Sequence, residues 1–138
     1  MAINNVFYAN TGSGLYADLT AAFSAFSRAI PVCHNNIFDS NTTYGITNNG
    51  GAGTPLTNTN FPGVGANAFY NNTSGDALNY TYSSDEVRSS SFSGSPLRTP
   101  GTDFRLANNA NGNLCRRTGR FSSMPILSGT AYPNIGAY

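Results

Sequence analysis

The chain has no lysine and no tryptophan, one histidine (His34), one glutamate (Glu86) and two cysteines. Charged residues make up 9% of its 138 positions, against about 25% in average domains. Each shortage removes a class of function. A Ser-His-Asp triad must use His34, and no G-x-S-x-G elbow accompanies it. Cys33 is the neighbour of His34, and an adjacent ring cannot readily turn back to act as its base. The pair therefore reads as a buried thiol beside a half-exposed ring. One histidine and two distant cysteines do not give the closely spaced ligands of a zinc site. Asp39 and Asn41 lack calcium-loop spacing. Asp85 and Glu86 read as a solvated turn, and nothing supports paired-carboxylate chemistry. "GVGANA" (63–68) has the letters of a dinucleotide fingerprint, but no strand precedes it and no helix follows. The sequence thus implies no catalytic residues, no metal and no cofactor.

Long apolar runs are also missing. None reaches 18 residues, so no transmembrane helix is expected. The start "MAINNVFYANTGSG" has neither the basic region nor the apolar core of a signal peptide, which reads as a cytoplasmic start or a missing export signal. Sequons at Asn41, Asn71, Asn72 and Asn79 are expected by chance in so Asn- and Ser/Thr-rich a chain. Cys33 and Cys115 are a candidate disulfide, although a reducing compartment favours two buried thiols.

What the chain does have is 19 Asn, 15 Gly, 8 Tyr and 9 Phe at a net charge of +1. Typical disorder combines high net charge with few aromatics, so this composition suits an ordered protein of turns, short strands and extended segments. The length is that of one domain, 1–138. We expect a mainly β, loop-rich fold, a small sandwich or irregular, with one N-terminal helix at about 14–30. Leu15, Leu19, Ala22, Phe23, Phe26 and Ile30 fall on one face of that helix, Ser13 caps it and Pro31 stops it. Leu78, Tyr80 and Tyr82 alternate as in a half-buried strand. Segments 87–92, 103–107 and 120–127 are weaker strand candidates, and "SGSPLRTPG" between the first two reads as loop. No internal repeat is apparent.

Segment 40–75 is longer than structureless loops usually run inside a compact domain. It reads as an extended strap laid on another subunit, anchored by Phe61, Phe69 and Tyr70. Charge is split along the chain. Residues 1–86 hold one arginine against five acids, a net of −4, and residues 87–138 hold six arginines against one acid, a net of +5. Arg116, Arg117 and Arg120 are the densest basic stretch. Arginine forks favour carboxylates at protein interfaces, so docking on an acidic partner or head-to-tail self-association is preferred over nucleic acid.

"NNVFYANTGSG", "NTTYGITNNGGAGTPLTNTNFPGVG", the low charge and the aromatic end "YPNIGAY" together resemble accessory virion proteins of tailed phages, in particular capsid decoration (cement) proteins. The likeness is one of style along the whole chain and carries no specific motif. It implies a non-enzymatic structural protein of the virion, assembled in the host cytoplasm. Its partners would be the major capsid protein or other virion subunits, and it would act as a homo-oligomer that bridges capsomers. Arg116, Arg117, Arg120, Phe61, Phe69, Tyr70, Tyr132 and Tyr138 would make the contacts. Two other readings stay open: a self-assembling extracellular filament subunit, and a glycan-binding surface module using Tyr and Asn.

Overall fold

Three stretches, "AINNVFYANTGSGLYA" (2–17), "CHNNIFDSNTTYGITN" (33–48) and "VGANAFYNNTSGDALN" (64–79), share the pattern N-x-F-x-x-N-T from Asn5, Asn36 and Asn67. The computed structural model, which describes residues 2–17, 33–49 and 64–116, stacks them as three coils of one solenoid. Coil 1 contributes β1 (Ala2–Ile3), β2 (Val6–Tyr8) and β3 (Leu15–Ala17). Coil 2 contributes β4 (Cys33–His34), β5 (Ile37–Asp39) and β6 (Tyr44–Asn48). Coil 3 contributes β7 (Val64–Gly65), β8 (Ala68–Tyr70) and β9 (Gly75–Leu78). These form three parallel sheets, β1-β4-β7, β2-β5-β8 and β3-β6-β9. Ala2, Cys33 and Val64 share one register, as do Val6, Ile37 and Ala68, and Leu15, Ile46 and Ala77. Matching residues in successive coils are 31 positions apart.

Each strand is too short to bury a core alone, and stacking supplies what one coil lacks. Phe7, Phe38 and Phe69 point into the solenoid. Their rings stack face to face at centroid distances of 4.9 and 5.4 Å, tilted by only 6° and 13°. Paired strands lie about 4.8 Å apart, so a phenylalanine repeated in register falls naturally at stacking distance. Phe38 and Phe69 are fully buried, with Cys33, Ile46 and Val64 beside them. Gly14 and Gly45 let the next turn approach the rings. A Cβ at Gly45 would lie 2.7 Å from Phe69 and 2.7 Å from the Asp76 carbonyl.

The corners follow the same period. Asn4, Asn35 and Ala66 have positive φ, as do Ala9, Ser40 and Asn71. Each precedes an asparagine of the repeated pattern. Residues 87–116 then cover the outer face of β2-β5-β8. Val87 bridges to Ala68 in parallel. A 3-10 turn, Ser89–Ser91, leads to the antiparallel pair β10 (Leu97–Thr99) and β11 (Asp103–Leu106), followed by α1 (Ala110–Cys115). Leu97, Leu106 and Cys115 close a second apolar layer on Ile37 and Ala68.

The mainly β class expected from composition is found, as a solenoid in place of a sandwich. The helix is elsewhere. Leu15–Ala17 is a strand paired with Ile46–Asn48, because parallel pairing outweighs the local helical spacing. The rest of the 14–30 proposal lies outside the described residues. The described α-helix is α1, in "ANGNLC", which has poor helix propensity but is capped by Asn109, whose side chain accepts from the Gly112 N–H. The strap is also corrected: 44–48 and 64–70 are strands of the chain's own coils, and 50–63 lies outside the described residues.

Two substitutions test this architecture. Phe38→Ala opens a cavity in the middle of the ring stack and should cost about 3–5 kcal/mol in urea unfolding. Ala9→Asn places at an exposed positive-φ corner the residue that coil 3 uses there. It should gain up to about 1 kcal/mol, since left-handed backbone is costly for alanine and tolerated by asparagine.

Candidate functional site

The solenoid is held by two amide ladders. In the first, Asn36 Oδ1 accepts from the Asn5 N–H at 3.0 Å and from Asn5 Nδ2 at 3.3 Å. Asn67 Oδ1 accepts in the same way from Asn36 N–H and Nδ2, both at 3.1 Å. In the second, Asn41 Oδ1 accepts from Asn10 N–H and Nδ2 at 3.2 and 2.7 Å. Asn72 Oδ1 repeats this for Asn41 at 3.1 and 2.7 Å. The remaining Nδ2 protons go to backbone carbonyls: Asn36 to Ala2 and His34, Asn67 to Cys33, Asn41 to Phe7 and Asn72 to Phe38. Side chains of this kind satisfy the backbone groups left over where the chain turns a corner. Asn36, Asn41 and Asn67 are completely buried, so an unmade bond there would cost about 1–3 kcal/mol.

The ladders have a direction: each coil donates to the next. At the coil 3 end the first ladder is terminated by Glu86, whose Oε1 accepts from Asn67 Nδ2 at 3.4 Å and from the Tyr80 hydroxyl, while Oε2 accepts from the Ser83 N–H at 2.9 Å. Val87 completes the strand edge there. Its N–H donates to Asn67 C=O and its C=O accepts from the Phe69 N–H, both at 2.9 Å. Tyr80 and Tyr82 meet the last ring of the stack, Phe69, edge-on at 6.1 and 5.9 Å. Arg88 lies over Tyr82 at 4.1 Å and 3.6 Å from Asp76. At this end the first ladder, the β8 edge and the ring stack are therefore capped.

Glu86 sits half-buried among neutral donors. Burial pushes its carboxyl up to about 7, against the pull of hydrogen bonds from Tyr80, Ser83 and Asn67. Burial, with Glu86 nearby, pushes the Cys33 thiol up to about 12 and raises the Tyr80 phenol. Asp39 is buried outside the ring stack, accepting from Ser40 Oγ at 2.6 Å and Ser95 Oγ at 2.5 Å, and burial raises its carboxyl too. The Cys33 thiol is thus protonated at neutral pH, while Glu86, Tyr80 and Asp39 fasten neighbouring segments.

The coil 1 end is built differently. Asn5 and Asn10 are exposed, and Phe7 is only half-buried. Their counterparts in coils 2 and 3 are buried. Ile37 N–H donates to Asn5 C=O and Ala68 N–H to Asn36 C=O. By the same register the N–H and C=O of Val6, and of Tyr8 two residues on, point away from coil 2. Beside them lies a shallow groove lined by Val6, Phe7, Tyr8, Asn10 and Phe104. Phe104, on β11, meets Tyr8 edge-on at 5.6 Å and stays 39% exposed.

No protein-family model, curated protein or solved structure matches this chain. The site has to be read from its own geometry.

The residues singled out from sequence are dispersed. Phe69 is fully buried in the ring stack and is no partner anchor. Tyr70 is half-buried and packs edge-on with Phe92 at 6.0 Å. Arg116 donates to the Ala107 and Leu106 carbonyls and to Asn113 Oδ1, fastening α1 to β11. Phe61, Arg117, Arg120, Tyr132 and Tyr138 lie outside the described residues. Cys33 and Cys115 are free thiols in separate apolar layers, so the disulfide is not formed. His34 is buried where a half-exposed ring was expected, and Glu86 is a ladder terminus where a solvated turn was expected. Asn41 and Asn72 are ladder residues, which removes two of the four sequons. Within the described residues, three of the arginines from the basic half pair internally, Arg88 with Asp76 and both Arg98 and Arg105 with Asp103.

Glu86 gives a signed pH dependence. Its folded value of about 7 lies above the ordinary 4.5, so the native state holds the proton more tightly across that window. The contribution of Glu86 is greatest below about pH 4.5 and declines as pH rises through 7. Urea midpoints of the wild type and Glu86→Gln, measured from pH 4 to 8, should diverge by about 2 kcal/mol across the window. The wild type loses stability and the variant stays flatter. Asp39 shifts both proteins alike, so parallel curves would rule out this role for Glu86.

Proposed function

We propose that this chain is a non-enzymatic structural protein of a virion, a decoration or cement protein that stabilises a shell by adding to it. The observation that carries this reading is the asymmetry of the solenoid among the described residues, with the first ladder and the middle sheet capped at coil 3 by Glu86 and Val87 and left without such a cap at coil 1. A short, nearly uncharged solenoid with one capped ladder suits a terminal piece added to a larger assembly. The buried asparagines Asn36, Asn41, Asn67 and Asn72 are engaged in joining coils. Binding only the assembled partner would stabilise that state by linkage, and many copies on one shell would act with avidity. The two open ends that a head-to-tail filament requires are not matched by the closure at Glu86 and Val87. The groove of Tyr8, Asn10 and Phe104 favours a second reading, a neutral glycan stacked on aromatic faces.

The test is co-sedimentation with virion shells stripped of their accessory proteins. We expect saturable binding of the purified chain and a higher disruption temperature of the loaded shells. Absence of binding at saturating chain would reject the virion reading. Binding to neutral oligosaccharides, with chemical shifts moving at Tyr8 and Phe104, would support the glycan reading instead.

A further inference from the structure

We propose that the coil 1 edge is a docking site for one more β-coil, supplied by a different protein subunit of the N-x-F-x-x-N pattern. Only the biological setting of this idea rests on the structural-protein reading above; its chemistry rests on the edge itself. Within the ladders, Oδ1 of an asparagine accepts both the N–H and the Nδ2 proton of the asparagine one coil earlier. For Asn5 and Asn10 that earlier coil is missing among the described residues, and both side chains are exposed. The edge therefore asks for donors at two fixed places. The half-buried Phe7 face offers a third place, one stacking distance from the next ring, as Phe7 itself stands 4.9 Å from Phe38. Val6 and Tyr8 add main-chain groups that point away from coil 2 and meet no strand among the described residues, which is the arrangement that accepts an added strand. The incoming segment would lie along the groove, with Phe104 as its side wall. Coil 1 is also where Asn4 Oδ1 is shielded from solvent without a hydrogen-bond partner.

A second copy of this chain fits poorly. Stacked head to tail, it would have to present its coil 3 end, where Glu86 already takes the Asn67 amide and Val87 already takes the Phe69 N–H. Stacked head to head, the first ladder would face its own copy with acceptors only, since Asn5 Nδ2 is spent on Ile3 C=O and Asn36 Oδ1. The partner is thus a segment that donates where this chain accepts.

The decisive readout is amide hydrogen exchange at Val6 and Tyr8. The full chain is compared with a version carrying a second copy of residues 33–63 directly ahead of Ala2, which sets an N-x-F-x-x-N segment 31 residues before Asn5. Val6 and Tyr8 should exchange fast in the chain alone. They should slow at least tenfold in the extended version, with a rise in its melting temperature. Unchanged exchange would overturn the proposal. If the extended version fails to fold, a synthetic peptide of residues 33–48 is titrated into the full chain, with the Asn36→Leu, Asn41→Leu peptide as control. Protection by the first peptide and not the second supports the docking. Equal effects overturn it. Concentration-dependent dimers that protect Val6 and Tyr8 in the chain alone would assign the edge to a second copy and also overturn it, as would protection caused by a neutral oligosaccharide. Protection together with failure to bind shells would keep the edge and remove the virion setting.

Discussion

Everything else in this structure depends on the asparagine side chain that accepts the main-chain N–H of the coil before it. A solenoid with short strands has many corners, and every corner leaves amides with no strand partner. Asn36, Asn41, Asn67 and Asn72 supply the missing acceptor and use their own Nδ2 protons to tie down neighbouring carbonyls. Because the ladder fixes the register, the phenylalanine between the two asparagines falls directly over its counterpart, and the core becomes a stack of rings. The composition that looks odd in a list, rich in amides and aromatics and poor in charge, is the composition of these two columns.

The ladder is also polar, and this gives the ends of the rod different chemistry. At coil 3 a carboxylate replaces the next asparagine oxygen, and two tyrosines replace the next ring. The cost of that solution is a buried acid with a raised pKa. At coil 1 the same groups appear without replacements. A structural protein whose ends differ in this way can join an assembly in one direction only, and that directional constraint underlies the functional reading. The β10–β11 pair and α1 cover the outer face of the middle sheet, so one lateral face of the rod is committed to the chain's own core.

Part of the fold is legible in the sequence. Asn and Gly abundance, aromatics and low charge lead to a mainly β protein of short strands. The repeat is legible as well, in "NVFYANT", "NIFDSNT" and "NAFYNNT" at one spacing. It is easily overlooked because the other columns vary freely: Val6, Ile37 and Ala68 in one, Tyr8, Asp39 and Tyr70 in another. Local periodicity points to a helix from Leu15, and the length of 40–75 without a regular period points to a strap. Both readings weighed neighbours along the chain, whereas the stabilising partners of Leu15 and Phe69 lie one coil away.

Composition and local pattern suffice for the class of fold, the low charge and the supply of residues from which ladders are made. Only the tertiary structure decided which of the many asparagines are ladder residues, that Phe69 is core and not an anchor, and that Glu86 is a terminus and not a solvated turn. The physical reason is that these roles are set by contacts about 31 residues apart, between groups whose chemistry is identical to that of their exposed neighbours. An asparagine in a corner and an asparagine on the surface carry the same donors and acceptors, and stacking alone makes one of them indispensable.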